Sequence, residues 1–221
     1  MTIRGSAGTV CAKAFLIAAF VSIVVSGCET SGSAVSESRE STAEKAASQS
    51  YSEVRQVDDA GRRLPFKTYF PDRWSTNNDG TDYEPCTAIQ NELLERLNLD
   101  PGSVKDVAVA NHQTARGCQW GYRNQAFAQV SQHVGNMNGG VTGIAQYKTR
   151  NRDFRWFPDQ GIGGRTVGVF TSSVDTCDTI LESGTAFVFT DVILGTTGDD
   201  VSENCRRALA FTRATIDLIP R

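Results

Sequence analysis

Residues 185–194 read Thr185-Ala186-Phe187-Val188-Phe189-Thr190-Asp191-Val192-Ile193-Leu194. β-branched and aromatic side chains dominate this stretch. They fit a pleated, half-buried surface, so it is expected to be a sheet strand. Upstream, residues 177–181 and 165–171 (RTVGVFT) have the same character, and the glycines of 161–164 mark a turn into the latter. Downstream, Ser202 suits an N-cap. Cys205, Ala208, Leu209, Thr212 and Ile216 then recur at helical spacing until Ile219-Pro220 ends the helix.

Earlier in the chain a helix is expected over 85–98. Pro85 fits its first position and Glu84 the positive end of its dipole. Cys86, Ile89, Leu93 and Leu97 make its apolar face, and Asp100-Pro101-Gly102 stops it. Strand-like runs follow at 104–110, 118–122 and 126–134, then a break at 135–140 and a short helix at 141–150. The expected class is therefore α+β: a mainly antiparallel sheet packed by helices, in two helix-plus-strands halves with a closing C-terminal helix. The links between strands are too short for parallel crossovers.

The N-terminus carries an address. Arg4 and Lys13 precede an apolar run over 14–25 (AFLIAAFVSIVV), and Val25-Ser26-Gly27-Cys28 follows. A short basic leader, an apolar core below the ~20 residues of a membrane span, and small residues before a cysteine read as a bacterial lipoprotein signal. Residues 1–27 are the expected leader and Cys28 the lipidated residue, held at the extracytoplasmic face of the cell membrane. An uncleaved anchor, an ordinary secretory signal and a buried core helix are the competing readings. Two acyl chains suffice for stable anchoring at ~0.8 kcal/mol per buried methylene. Cleavage leaves 20 Lys+Arg against 25 Asp+Glu, a net charge of −5, because the leader holds two bases and no acid. That balance offers nucleic acid no basic face.

Residues 28–62 are expected to be a disordered tether. From 29 to 60 the chain is rich in Ser, Ala and Glu and has no Leu, Ile, Phe, Trp or Met, so it has little apolar surface to offset the entropy of ordering. Residues 63–221 are expected to form one domain. It opens with an aromatic arm: Phe66, Tyr69, Phe70, Trp74 and Tyr83 among Arg62, Arg63, Lys67 and Arg73. The arm is read as packing onto the domain, with a partner-binding segment as the alternative.

Beyond Cys11 and Cys28, four cysteines remain: Cys86, Cys118, Cys177 and Cys205. An even number in an exported domain argues for disulfides, and four cysteines allow three connectivities. Cys86–Cys118 and Cys177–Cys205 are favoured, each tying a helix start to a nearby strand within one half. Zinc is disfavoured because no close cysteine pair exists and His112 and His133 have no HxxxH or HExxH spacing. No metal and no cofactor is expected. The search for catalytic motifs finds no G-x-S-x-G elbow, and residues 161–166 match neither a Walker loop nor a dinucleotide fingerprint. Asp175, Asp178, Asp199 and Asp200 are read as solvated loop acids, His112 near Arg116 as a surface or satisfied histidine, and Trp120 as core packing against a disulfide.

Pro85-Cys86 opening a helix, Leu93 and Leu97, Cys118-Gln119-Trp120, Gly164-Arg165 before a strand, Cys177, and Cys205 with Ala208 resemble a family of actinobacterial lipoproteins known as domain of unknown function 3558. The resemblance covers roughly 82–220. It implies an exported lipoprotein domain with disulfides, and carries no catalytic residue with it. The expected job is non-enzymatic: binding an envelope lipid or protein partner while anchored to the membrane through Cys28. Two alternatives stand beside it. One is an envelope enzyme acting on lipid or wall polymer through an unrecognised carboxylate pair; the other is an accessory or sensor subunit of a membrane complex.

Overall fold

The computed structural model describes residues 54–195 and 201–221. The leader over 1–27, Cys28, the tether up to residue 53, and Asp199 and Asp200 lie outside the described residues. Seven strands build one sheet: β1 (Lys105–Asp106), β2 (Arg116–Gly121), β3 (Gln129–Asn136), β4 (Arg155–Ile162), β5 (Arg165–Thr171), β6 (Thr176–Ser183) and β7 (Ala186–Ile193). Four helices accompany them: α1 (Pro85–Ala88), α2 (Asn91–Arg96), α3 (Ile144–Arg150) and α4 (Val201–Thr215). The spatial order is β1-β2-β3-β7-β6-β5-β4, and every neighbouring pair is antiparallel. Two meanders, β1–β3 and β4–β7, thus meet where β3 pairs with β7. The class is α+β, mostly antiparallel sheet, with a closing C-terminal helix.

The stretch at 185–194 forms this junction strand. Hydrogen-bonded on both sides, β7 turns Ala186, Val188, Thr190 and Val192 to one face, all of them fully buried. That face meets α4, which brings Ala208, Phe211, Thr212 and Thr215 into the core. A polar seam ties the two layers. Gln132 donates to Thr190 Oγ1 (2.9 Å) and Thr215 Oγ1 (3.1 Å), Tyr83 donates to Gln132 Oε1 (2.6 Å), and the Thr179 and Thr212 hydroxyls share a hydrogen bond of 2.6 Å. Each buried polar atom finds a partner, so the seam fixes how α4 sits without leaving an orphan. The opposite face of β7 presents Phe187, Phe189 and Asp191. Helix α3 crosses part of it, with Ile144 buried and Tyr147 in ring contact with Trp156, Phe170, Phe187 and Phe189. Seven residues of helix cannot cover a seven-stranded sheet, and the uncovered part matters below.

Several local expectations are corrected. The single helix over 85–98 is two: Ile89 and Gln90 adopt extended backbone between α1 and α2. The break lets Ile89 and Leu94 enter the core together with Cys86, so Leu94, rather than Leu93 or Leu97, is the buried leucine of α2 and its end. Ser202 lies inside the first turn of α4. Strand β4 was not expected at all. It is an edge strand containing Pro158 and a register shift between Phe157 and Gln160, and both features break strand patterning. The turn after it is as read: Gly163 and Gly164 both have positive φ (57° and 71°), which a two-residue hairpin link of this hand requires.

The tether also ends earlier than residue 62. Residues 54–62 are described, and Asp58 is buried at 3% exposure. Its carboxylate accepts from the Ala60 and Arg62 amides, the Arg62 guanidinium and the Thr87 hydroxyl, while Val57 bridges to Arg63. Polar bonds to a single acid order this segment, which an apolar count cannot register. The aromatic arm that follows packs onto the domain. Arg73, fully buried, forks onto Glu84 (2.8 and 3.2 Å) and Asp106 (2.9 and 3.1 Å) and stacks on Trp74. Arg116 donates to Asn78, Thr81 and Tyr83 carbonyls and to Glu84.

Candidate functional site

The cysteines fall into the favoured pairs. Cys86–Cys118 joins α1 to β2 at a Cα separation of 5.3 Å, and Cys177–Cys205 joins β6 to α4 at 4.9 Å. Both lie on the helix-covered side. Trp120 is buried beside Cys118 and packs against Phe211 at 5.8 Å. His112 is a surface residue, its Nε2 3.2 Å from Asp72 Oδ2, and Arg116 is engaged elsewhere. Of these residues Cys205 lines a cavity, one of about 470 Å3 between α4 and the β4–β5 edge whose lining includes Phe157, Val169 and Leu209 but no acid.

The site is on the other face, where α3 stops short. A cavity of about 490 Å3 opens there. Tyr147, Phe154, Phe170, Phe187 and Phe189 form its walls, with Asn138 and Arg150 at its edge. The walls are a continuous aromatic set: Phe154 stacks on Phe170 at 5.3 Å, and Phe187 meets Phe189 at 5.9 Å. Arg150 is held by the carbonyls of Asn138 and Gly139, so its charge stays at the rim. A volume of this size suits a small organic ligand, since such sites run to ~300–1,000 Å3.

Two carboxyl groups and an imidazole form the floor. Asp178 on β6 and Asp191 on β7 are directly opposite in the ladder, so they share a face. His133 on the neighbouring β3 stacks on Phe189 at 5.1 Å and places Nδ1 3.1 Å from Asp191 Oδ2. The Ser131 hydroxyl donates to the same oxygen at 2.9 Å. Asp191 is therefore well supplied with donors. Burial on its own would raise its carboxyl, but the charge and hydrogen bond of His133, with Asp178 and Ser131, hold it below the usual carboxylate range.

Asp178 is the reverse case. It is 5% exposed, and its Oδ2 meets no hydrogen-bond donor among the described residues. Burial first, then the hydrogen bond and charge of Asp191, push its carboxyl up to about 9. The Ser172 amide and Thr176 hydroxyl pull weakly the other way. Its burial beside Asp191 favours the protonated form of Asp178 at neutral pH. Two acids this close cannot both ionise cheaply, so the pair keeps one proton.

Asp178 was read from the sequence as a solvated loop acid. The structure corrects this: it lies within β6, beside Cys177, and is buried. Asp191 and His133 were not singled out as partners. A signal was present in the 185–194 stretch, where an acid follows Phe187 and Phe189 at strand spacing and must share their face. The partner could not be found without the register of β6 and β3. Among the described residues no group of three His, Cys, Asp or Glu side chains gathers in a way that could hold a metal ion.

The fold and floor define a class: an α+β domain with one sheet face packed by α4 and the other hollowed into an aromatic cavity over an acid pair. The chain belongs to the family described as Protein of unknown function (DUF3558), whose model matches residues 23–218. Comparison with curated proteins finds no match, and comparison with solved structures finds none.

Proposed function

We propose that the protein is an extracytoplasmic, lipid-anchored binding module that holds a small ligand in the cavity beneath α3, without catalysing a reaction. The observation that carries this is the cavity itself: aromatic walls over a buried acid whose Oδ2 meets no donor. A buried polar atom left without a donor is worth about 1–3 kcal/mol to any ligand that satisfies it. The anchor is supported by Val25-Ser26-Gly27-Cys28 after the apolar run over 14–25.

The facing acids favour a second reading, an enzyme acting on envelope lipid or polymer. Their arrangement suits it poorly. Carboxyls that cleave a glycosidic bond stand ~5–9.5 Å apart on either side of it. Asp178 and Asp191 instead share a proton across one strand pair, and Asp191 is further occupied by His133 and Ser131.

Two measurements test the proposal. Protein purified from its native envelope should carry a stoichiometric small molecule by native mass spectrometry, and Phe189→Ala should lose it. A ligand-free wild-type protein sinks the cavity reading. Cys28→Ser should leave the membrane fraction or accumulate as precursor; a variant processed and retained as before sinks the anchor.

A further inference from the structure

We infer that the ligand of this cavity is an organic ammonium ion, bound with its cationic head against Asp178 and its carbon body between the aromatic rings. The inference rests on the cavity being the ligand site and goes on to name what the site selects.

Three observations converge. The walls are aromatic, and aromatic faces attract cations while also covering apolar carbon. Phe187, Phe189 and Tyr147 surround the floor from β7 and α3, with Phe170 contributed by β5. The floor holds two carboxyls and one imidazole. His133 answers Asp191, which leaves Asp178 without a cation of its own. The buried Oδ2 of Asp178 has no donor, and an ammonium group brings both donors and charge.

In the empty site the proton kept between Asp178 and Asp191 offsets the charge that such a cation would bring. The charged and titratable groups facing Asp178 are Asp191 on β7, His133 on β3, and Tyr147 and Arg150 on α3; Phe170 of β5 and Ser172 just after it are uncharged. Arg150 is fixed at the rim by two carbonyls and does not reach in as a substitute cation. Binding is then an exchange. The ammonium enters as a cation, the Asp178 O–H bond breaks, and its proton leaves to solvent, so the charge of the filled site equals that of the empty one. A neutral ligand of equal shape can donate to Oδ2 but displaces no proton and brings no charge to the acid pair. An anion meets ionised Asp191.

Calorimetry on the full chain in mild detergent tests this with three probes of similar size: phenethylammonium, 2-phenylethanol and 3-phenylpropionate. Phenethylammonium should bind saturably and release about one proton, measured in buffers of different ionisation enthalpy. Its affinity should rise about tenfold from pH 6 to pH 7, as one-proton linkage requires. The alcohol and the anion should bind at least about tenfold more weakly. Asp178→Asn keeps the shape and a donor toward Asp191, so it should fold with its melting temperature retained or raised at neutral pH, while losing the ammonium preference and the proton release. If 2-phenylethanol binds as tightly, without proton release, the cavity remains a ligand site and the ammonium inference is wrong. Ammonium binding unchanged by both Asp178→Asn and Phe189→Ala places the ligand elsewhere and overturns both readings. Failure of all three probes overturns the ammonium inference, and the cavity reading then stands or falls on the molecule carried from the native envelope.

Discussion

The Arg73–Glu84–Arg116–Asp106 cluster and the Asp178–Asp191–His133 cluster are both charge taken out of water, yet they are satisfied to different degrees. In the first, two guanidiniums meet two carboxylates, and the remaining donors of Arg116 reach three backbone carbonyls. Cations and anions balance inside the cluster. In the second, Asp191 takes two donors on one oxygen while Asp178 has none on Oδ2 and keeps its proton. The first lies between the arm and the sheet, where no ligand can reach it. The second lies under an open cavity. Completed hydrogen bonding marks a structural joint, and an unanswered acid beside open space marks a place for something to arrive.

The sharpest way to break that comparison is to spoil the complete cluster. Glu84→Ala leaves buried Arg116 without a carboxylate and Arg73 with Asp106 alone, and should lower stability by about 3–5 kcal/mol in urea unfolding. A loss below about 1 kcal/mol would mean the joint is decorative. Next in size is the covalent tie beside the incomplete cluster. Replacing Cys177 and Cys205 together by serine opens a loop of 28 residues' separation. The chain-entropy account gives a loss of about 3–4 kcal/mol. Non-reducing peptide mapping of the wild type should recover Cys177 with Cys205 and Cys86 with Cys118; recovery of crossed pairs would remove the basis for this expectation.

Smallest per unit of pH, and the most diagnostic, is the effect that reads the proton on Asp178. Folding raises this carboxyl from its ordinary 3.8 to about 9. A group that holds its proton more tightly when folded contributes fully below its unfolded value and loses that contribution as pH rises toward its folded one. Asp191 is shifted the other way, so its contribution is present above 3.8 and fades in acid. Wild-type stability should therefore decline from about pH 5 to pH 8, and Asp178→Asn should be flatter over the same window. The difference in slope is bounded by about 1.4 kcal/mol per pH unit, the value for one whole proton. Parallel curves for the two proteins would show that Asp178 is ionised in the native state.

The two clusters also differ in how much of them was legible in the sequence. Helical spacing located α4, and β-branched and aromatic composition located β5, β6 and β7, whose residues are mostly buried. Both missed β4, where Pro158 and a bulge disrupt strand patterning at the sheet edge. Periodicity joined α1 to α2 because Cys86, Ile89, Leu93 and Leu97 keep helical spacing across a break imposed by packing. The cysteine pairs were accessible from short sequence separations. Arg73 and Glu84 lie 11 residues apart, but Arg116 reaches Glu84 from 32 residues away. Asp178 and Asp191 come together only through the β6–β7 register, and His133 only through the pairing of the two meanders. Local chemistry was readable; a site assembled by the sheet was not.

The turn around Asp58 has a mechanical side. A force applied on the N-terminal side of residue 54 reaches first the Asp58 turn, held to α1 through Thr87, and then the arm. From there it passes into the Arg73–Glu84 fork and, directly behind it, the Cys86–Cys118 bond into β2. The load path runs through polar clamps and a covalent link at one edge of the sheet. Between these joints the arm is also bonded to the β6–β7 hairpin, Thr81 to Ser183 at 2.8 Å and the Thr185 amide to the Gly80 carbonyl at 2.9 Å, so force entering at residue 54 would be shared with the strands that floor the cavity.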